Sequence, residues 1–172
     1  TAITVVELDL SKIDDSLLSK PCYKVARRYH WLGEKHSTLY ARILNLAEHW
    51  NASRLVVDAS GVGAGVSSFL REKLGDRVTA LTFNRQIKSK LAWGFLSVID
   101  TGRFQDFKPK LRAERDDGVL NPLAMAMQDE QDSLQALFYK QLSAVSYEVS
   151  VGPERAIRWG VTEGTRDSEG TL

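Results

Sequence analysis

Asp58 closes the short apolar run Leu55-Val56-Val57, and a glycine-rich turn, Gly61-Val62-Gly63-Ala64-Gly65, follows directly. An apolar run of this length reads as a strand buried on both faces. The C-terminal ends of such strands are where open α/β sheets place ligands and chemistry. A carboxylate leaving a dry strand needs a cation or hydrogen-bond donors to meet it. Asp58 is therefore a metal ligand, a hydrogen-bonded structural acid or a cap for the turn, and residue types alone leave all three open. The glycines invite a dinucleotide-binding reading, which their spacing opposes. G-x-G-x-x-G would put its third glycine where Val66 stands, and the next strand ends in Phe83-Asn84 rather than an acid. No G-x-x-x-x-G-K-[ST] loop occurs either. The glycines are explained by a tight turn and a close helix–strand approach.

The second chemical feature is a cluster of cations. Residues 85–115 hold eight basic side chains (Arg85, Lys88, Lys90, Arg103, Lys108, Lys110, Arg112, Arg115) and three acids (Asp100, Asp106, Glu114), a local net charge of +5 in a chain of net charge +1. A basic stripe on a near-neutral protein is a modest nucleic-acid signal, and a solvated face gives the same pattern. Cys22 is the single cysteine, which excludes an internal disulfide framework and fits a reducing compartment. His30, His36 and His49 make no zinc-ligand spacing with it. A composition of 43% hydrophobic and 26% charged residues is that of an ordinary globular domain, and 172 residues suffice for one such domain. No apolar run reaches membrane-spanning length, and no basic-then-apolar leader opens the sequence.

Around these residues the hydrophobic pattern sets an order of elements. Thr1–Leu8 is β-branched and reads as a strand, predicted to pair antiparallel with Tyr23–Trp31. In the latter, Tyr23, Val25, Tyr29 and Trp31 are expected on one face and Lys24, Arg28 and His30 on the other. Ser37 is expected to cap a helix to Trp50 that buries Tyr40, Ile43, Leu44, Ala47 and Trp50. The strand 54–58, a helix over 63–74 and the strand 78–83 form one βαβ unit, parallel by the nature of its crossover. A helix over 85–101 follows, with Ile87, Leu91, Phe95 and Val98 inward. Residues 103–128 combine a short strand at 103–107 with a charged excursion. A helix over 129–145, carrying Leu134, Leu137, Phe138 and Val145, precedes a hairpin of 147–151 and 156–161 around Gly152-Pro153. Trp93, Phe95 and Phe104 are read as core; Trp159 could pack either way.

A strand pair, a helix, a strand ending in Asp and a βαβ crossover describe much of a ribonuclease-H-like fold: α/β, with a mixed sheet flanked by helices on both faces. The sequence also resembles a particular family. VVDASGVGAGV (56–66), TFNRQIKSKLAWGFLSVIDTGRF (82–104) and IRWGVTEGTRD (157–167) are similar, in this order, to the nuclease domain of large terminase subunits of tailed phages and prophages. The resemblance spans nearly the whole chain and is weakest over 108–145.

That resemblance implies a metal-dependent endonuclease that cuts DNA concatemers during packaging, with two Mg²⁺ or Mn²⁺ ions held by acids from separate segments. Asp58 matches the second acid of the family. Lys88 and Lys90 match a lysine-containing stretch near the catalytic end of the sheet, and Arg85 adjoins them, which implies contact with DNA phosphates. The first family acid belongs before a stretch resembling TAITVVEL and the third after one resembling VTEGTRD. Residues 1–172 are therefore expected to be one nuclease-like domain trimmed at both ends. Alternatively Thr1–Leu10 is itself the central strand, with Glu7 or Asp9 as first ligand and Asp167 as third. The implied partners are double-stranded DNA, an upstream ATPase domain, a portal protein and a small terminase subunit, in the cytoplasm of a bacterial host and without a membrane. Two other classes stay in view: a non-catalytic ribonuclease-H-like docking module, and a related nuclease such as a Holliday-junction resolvase.

Overall fold

The computed structural model of the chain describes residues 1–11, 20–61, 63–107, 122–152 and 155–161. Their element order is β1 (Ala2–Asp9), β2 (Cys22–His30), α1 (His36–His49), β3 (Leu55–Asp58), α2 (Gly63–Leu74), a 3₁₀ turn (Gly75–Arg77), β4 (Val78–Leu81), α3 (Arg85–Asp100), β5 (Phe104–Gln105), α4 (Pro122–Ser143), β6 (Val145–Val149) and β7 (Ile157–Val161). The protein is a mixed α/β chain divided into two compact units, Trp31–Lys90 and Thr1–His30 with Leu91–Leu172, so that the division falls within α3.

In the unit Trp31–Lys90, β3 and β4 run parallel in the register Leu55↔Val78 to Asp58↔Leu81, joined by α2 as the βαβ pattern predicts. Leu70 of α2 is wholly buried, with Ser67 and Val78 also inward. Tyr40 of α1 stacks on Phe69 of α2 at 4.5 Å between ring centroids. The guanidinium of Arg77 donates to the carbonyl of Ala52, just past α1, and at longer range to that of Ala47, which also accepts the Ala52 N–H. The expectations for α1 and β3 fail in part. Lys35, in extended conformation, is the N-cap of α1 and makes no side-chain cap bond, so Ser37 falls inside the first turn. Leu39, absent from the expected stripe, is buried with Ile43 and Ala47, which follow it at four-residue spacing along the same face. Among the described residues Val56 is 61% exposed, so its side of β3 is less covered than the apolar run suggested. Alternate strand residues face opposite ways, and β3–β4 is a two-stranded sheet among the described residues.

In the other unit β2 is the middle strand of a sheet ordered β1-β2-β5, antiparallel to β1 and parallel to β5 through Tyr23↔Phe104 and Lys24↔Gln105. Among the described residues β1 pairs with β2 alone and so lies at the edge of this three-stranded sheet, where the alternative reading of Thr1–Leu10 expected a central strand. The β1–β2 register slips between Val5↔Arg27 and Val6↔Val25, leaving Ala26 of β2 as an extra residue. Such a bulge resets the alternation, and Val25 and Arg28, three apart, are both buried. Arg28, expected on the polar face, is 5% exposed.

α4 starts at Pro122, a residue suited to the first helical position, and packs on β2. Its buried positions are Gln131 and Gln135 rather than the expected Leu134 and Leu137. Leu91 is 41% exposed instead of inward. Phe95 meets Phe104 edge-on, as a core pair would. Gly102, at φ +65°, ends the turn after α3. The hairpin β6–β7 is antiparallel with Tyr147 opposite Trp159. The sequence VTEGTRD after Gly160 lies, beyond Val161, outside the described residues, Asp167 included, as do Lys108, Lys110, Arg112 and Arg115.

Candidate functional site

Asp58 is an exposed carboxylate at the C-terminal end of β3, where β3 and β4 finish side by side. Its Oδ1 accepts the backbone N–H of Ser60 at 2.8 Å, a local turn that Asp favours. The ladder continues one residue further, with Ala59 N–H donating to the carbonyl of Leu81 at 2.8 Å. Gly61, at φ +55°, turns the chain toward α2. The start of α2 then comes so close that a Cβ at Gly63 would overlap the carbonyl oxygen of Asp58. The close helix–strand approach read from the glycines is thus located at Gly63. It sets the positive end of the α2 dipole against the end of β3.

The expected cations gather at the same end of the β3–β4 pair. β4 finishes at Leu81, and α3 begins at Arg85 after the turn Thr82-Phe83-Asn84. Asn84 closes the start of α3: its Oδ1 accepts the N–H of Ile87 at 2.8 Å and its carbonyl accepts that of Lys88 at 2.9 Å. Arg85, Lys88 and Lys90 are exposed. Arg103 donates to Thr101 Oγ1, the Pro21 carbonyl and the Ser97 carbonyl. The described part of the basic stripe therefore narrows to the first two turns of α3.

Glu7 and Asp9 belong to β1, in the other unit from Asp58. Asp9 binds Lys24 Nζ at 2.6 Å through Oδ2 and accepts from the Ser11 N–H and hydroxyl through Oδ1. The hydrogen bond from Lys24, followed by those from Ser11, holds the Asp9 carboxyl well below the usual carboxylate range. Both its oxygens have local donors, so its environment is that of a paired acid. Among the described residues no three His, Cys, Asp or Glu side chains come together to hold a metal ion. Asp58 therefore has no pair of further such side chains beside it among the described residues.

One polar cluster went unforeseen. Arg28 makes a bidentate pair with Asp106, at 2.9 and 2.7 Å, beneath the rings of Phe138 and Phe107. Gln131 exchanges two 2.8 Å hydrogen bonds with the backbone of Arg28. Gln135 donates to the Phe107 carbonyl at 2.6 Å. Two glutamines four apart on a helix otherwise read as apolar were the available signal. These groups partner one another except at Arg28 Nε, which is buried without a hydrogen-bond partner among the described residues.

The described helices include none long and apolar enough to cross a membrane. Comparison with known proteins identifies the lineage. The family described as "Terminase RNaseH-like domain" matches residues 20–142, more than half of the chain. A curated protein of Haemophilus phage HP1, named "Probable terminase, ATPase subunit", is 26% identical over 83 residues, covering 48% of this chain and 14% of that protein. The chain thus spans a small part of that relative's length. No solved structure gives a significant match. With a mixed α/β fold, a βαβ unit whose first strand ends in Asp58 and this family match, the chain belongs to the terminase RNaseH-like domain family.

Proposed function

We propose that this chain is the endonuclease domain of a phage DNA-packaging terminase, hydrolysing DNA phosphodiester bonds with Mg²⁺ or Mn²⁺. One observation carries the reading. Asp58, the start of α2 and the Arg85–Lys90 turns of α3 occupy one end of the β3–β4 pair. A carboxylate beside two helix N-termini and exposed cations combines a ligand for a divalent ion with a surface for phosphate. Asp58 supplies one ligand, and the further acids come from outside the described residues, with Asp167 a candidate. Divalent ions held there would activate water and stabilise the leaving oxygen. The chain's own residues carry the rest: Arg85, Lys88 and Lys90 hold the DNA backbone through its phosphates, without base readout.

By family, the substrate is double-stranded DNA. The name of the phage HP1 relative supports an ATPase partner domain, and the resemblance supports portal and small-terminase partners in the host cytoplasm. A second reading, a ribonuclease-H-like module that clamps or docks without cutting, is favoured by the capping role of Asp58 Oδ1 and the missing acid cluster among the described residues. One experiment separates the two. The full-length protein should nick plasmid DNA with Mn²⁺ or Mg²⁺ and lose that activity in Asp58→Asn, which keeps the shape and removes the charge. Undiminished nicking by Asp58→Asn would remove Asp58 from the metal site, and DNA binding without nicking by the wild type would leave the docking reading.

A further inference from the structure

Asp58 and the basic start of α3 arrive from different strands, so something must hold them in a common frame. The ladder ends at the bond between Ala59 and Leu81, one residue past the strands. Beyond it, Ser60 reaches both sides. Its N–H donates to Asp58 Oδ1 at 2.8 Å, and its Oγ accepts the backbone N–H of Phe83 at 3.1 Å. Phe83 adjoins Asn84, the residue that closes the first turn of α3. A short relay thus runs from the carboxylate through Ser60 to the helix that carries Arg85, Lys88 and Lys90.

We infer that Ser60 is a positioning residue that fixes the Asp58 carboxylate and the first turn of α3 in one register, so that a phosphate held by the helix is presented to Asp58. This rests on the nuclease reading above. Removing the hydroxyl leaves the N–H bond to Asp58 intact but takes the acceptor away from Phe83. The cations still bind phosphate, but their placement relative to the carboxylate loosens. Small misplacements of reacting groups cost about 10²-fold in rate, whereas backbone binding by cations is tolerant of such shifts.

Ser60→Ala and Ser60→Thr in the full-length protein test this, through kinetics and amide hydrogen exchange. Ser60→Ala should lower kcat for plasmid nicking by roughly ten- to a hundredfold while its Kd for DNA stays within about twofold of wild type. It should also speed exchange at Phe83 and in the first turn of α3, and Ser60→Thr, which keeps the hydroxyl, should restore both. Unchanged exchange in Ser60→Ala overturns the relay. A parallel loss of kcat and DNA affinity that threonine does not rescue overturns the positioning role and makes Ser60 merely structural. If the wild type binds DNA without nicking it, the nuclease reading fails by itself, and the exchange measurements decide the Ser60 relay independently.

Discussion

The guanidinium of Arg28 and the carboxylate of Asp106 meet through two parallel hydrogen bonds, with side chains only 6% and 8% exposed. The pair ties β2 to the segment after β5, and α4 closes over it with Phe138 at 4.6 Å from the guanidinium carbon to the ring centroid. A buried pair of this kind is weak evidence of net stabilisation, because desolvation offsets much of the attraction. Breaking one side of it is another matter. Asp106→Ala should destabilise the protein by about 3–5 kcal/mol, because it strands a buried cation. Urea unfolding followed by circular dichroism measures this, and a loss under about 1 kcal/mol would mean that Arg28 finds another partner or water.

The same carboxylate gives stability a pH dependence. Burial by itself pushes the Asp106 carboxyl up, but the hydrogen bond and charge of Arg28, helped by Tyr139 and Gln135, outweigh it and hold the group below its ordinary value. A group lowered in the folded state contributes fully above its unfolded pKa, roughly 3.9. That contribution is lost as pH falls through the lower folded value. Stability should therefore be level with respect to this group above about pH 5 and decline below about pH 4. Unfolding midpoints across that range, compared with Asp106→Asn, isolate the effect; an unaltered acid limb in the variant would assign it to other carboxylates.

Gln131 completes the backbone of Arg28 as a neighbouring strand would, accepting its N–H and donating to its carbonyl. β5 pairs β2 only at Tyr23 and Lys24, so the glutamine serves that side where β5 does not reach. Gln131→Met preserves length and removes both partners. A loss of about 2–4 kcal/mol is expected, given roughly 1–3 kcal/mol for each buried polar group left unpaired. Gln131→Glu, which keeps the acceptor only, should fall between wild type and Met. Equal stability of Met and wild type in denaturant titration would show that water replaces the amide.

Gly63→Ala tests the approach of α2 to Asp58. The added methyl meets backbone rather than a movable side chain, so the helix start or the strand end must shift. Destabilisation of about 1–3 kcal/mol follows, as for other overpacked sites. Gly65→Ala, whose Cβ would meet only the Tyr40 hydroxyl at 3.8 Å, is the control and should be near neutral. Similar melting temperatures for the two variants would contradict the close approach.

Lys88→Ala with Lys90→Ala should weaken DNA binding about equally for unrelated sequences. The slope of log affinity against log salt should flatten by about 0.9 for each duplex phosphate that the variant no longer neutralises. Fluorescence anisotropy over a salt series gives that slope. An unaltered slope in the double variant would move the DNA-contacting surface away from the start of α3.

Much of the order of elements follows from local pattern alone. The apolar run of β3, the glycines that begin α2 and the helical spacing of α3 each depend on neighbours in sequence, and a βαβ connection of that length is parallel by geometry. The placement of Asp58, Arg85, Lys88 and Lys90 at one end of the β3–β4 pair follows from the same rule, because both strands of a parallel pair finish at the same end. What local pattern could not supply was whatever depends on a distant partner. The bulge at Ala26 arises from pairing with β1 and puts Arg28 on the buried side with Val25. Asp106, Gln131 and Gln135 are ordinary polar residues until that guanidinium and the backbone around it lie beneath α4. Ser60 likewise looks like any turn serine, because its hydroxyl partner, Phe83, is brought to it only by the parallel pairing of β3 and β4. Periodicity records which face a residue takes, whereas hydrogen-bond partners far apart in sequence are decided by the packed chain.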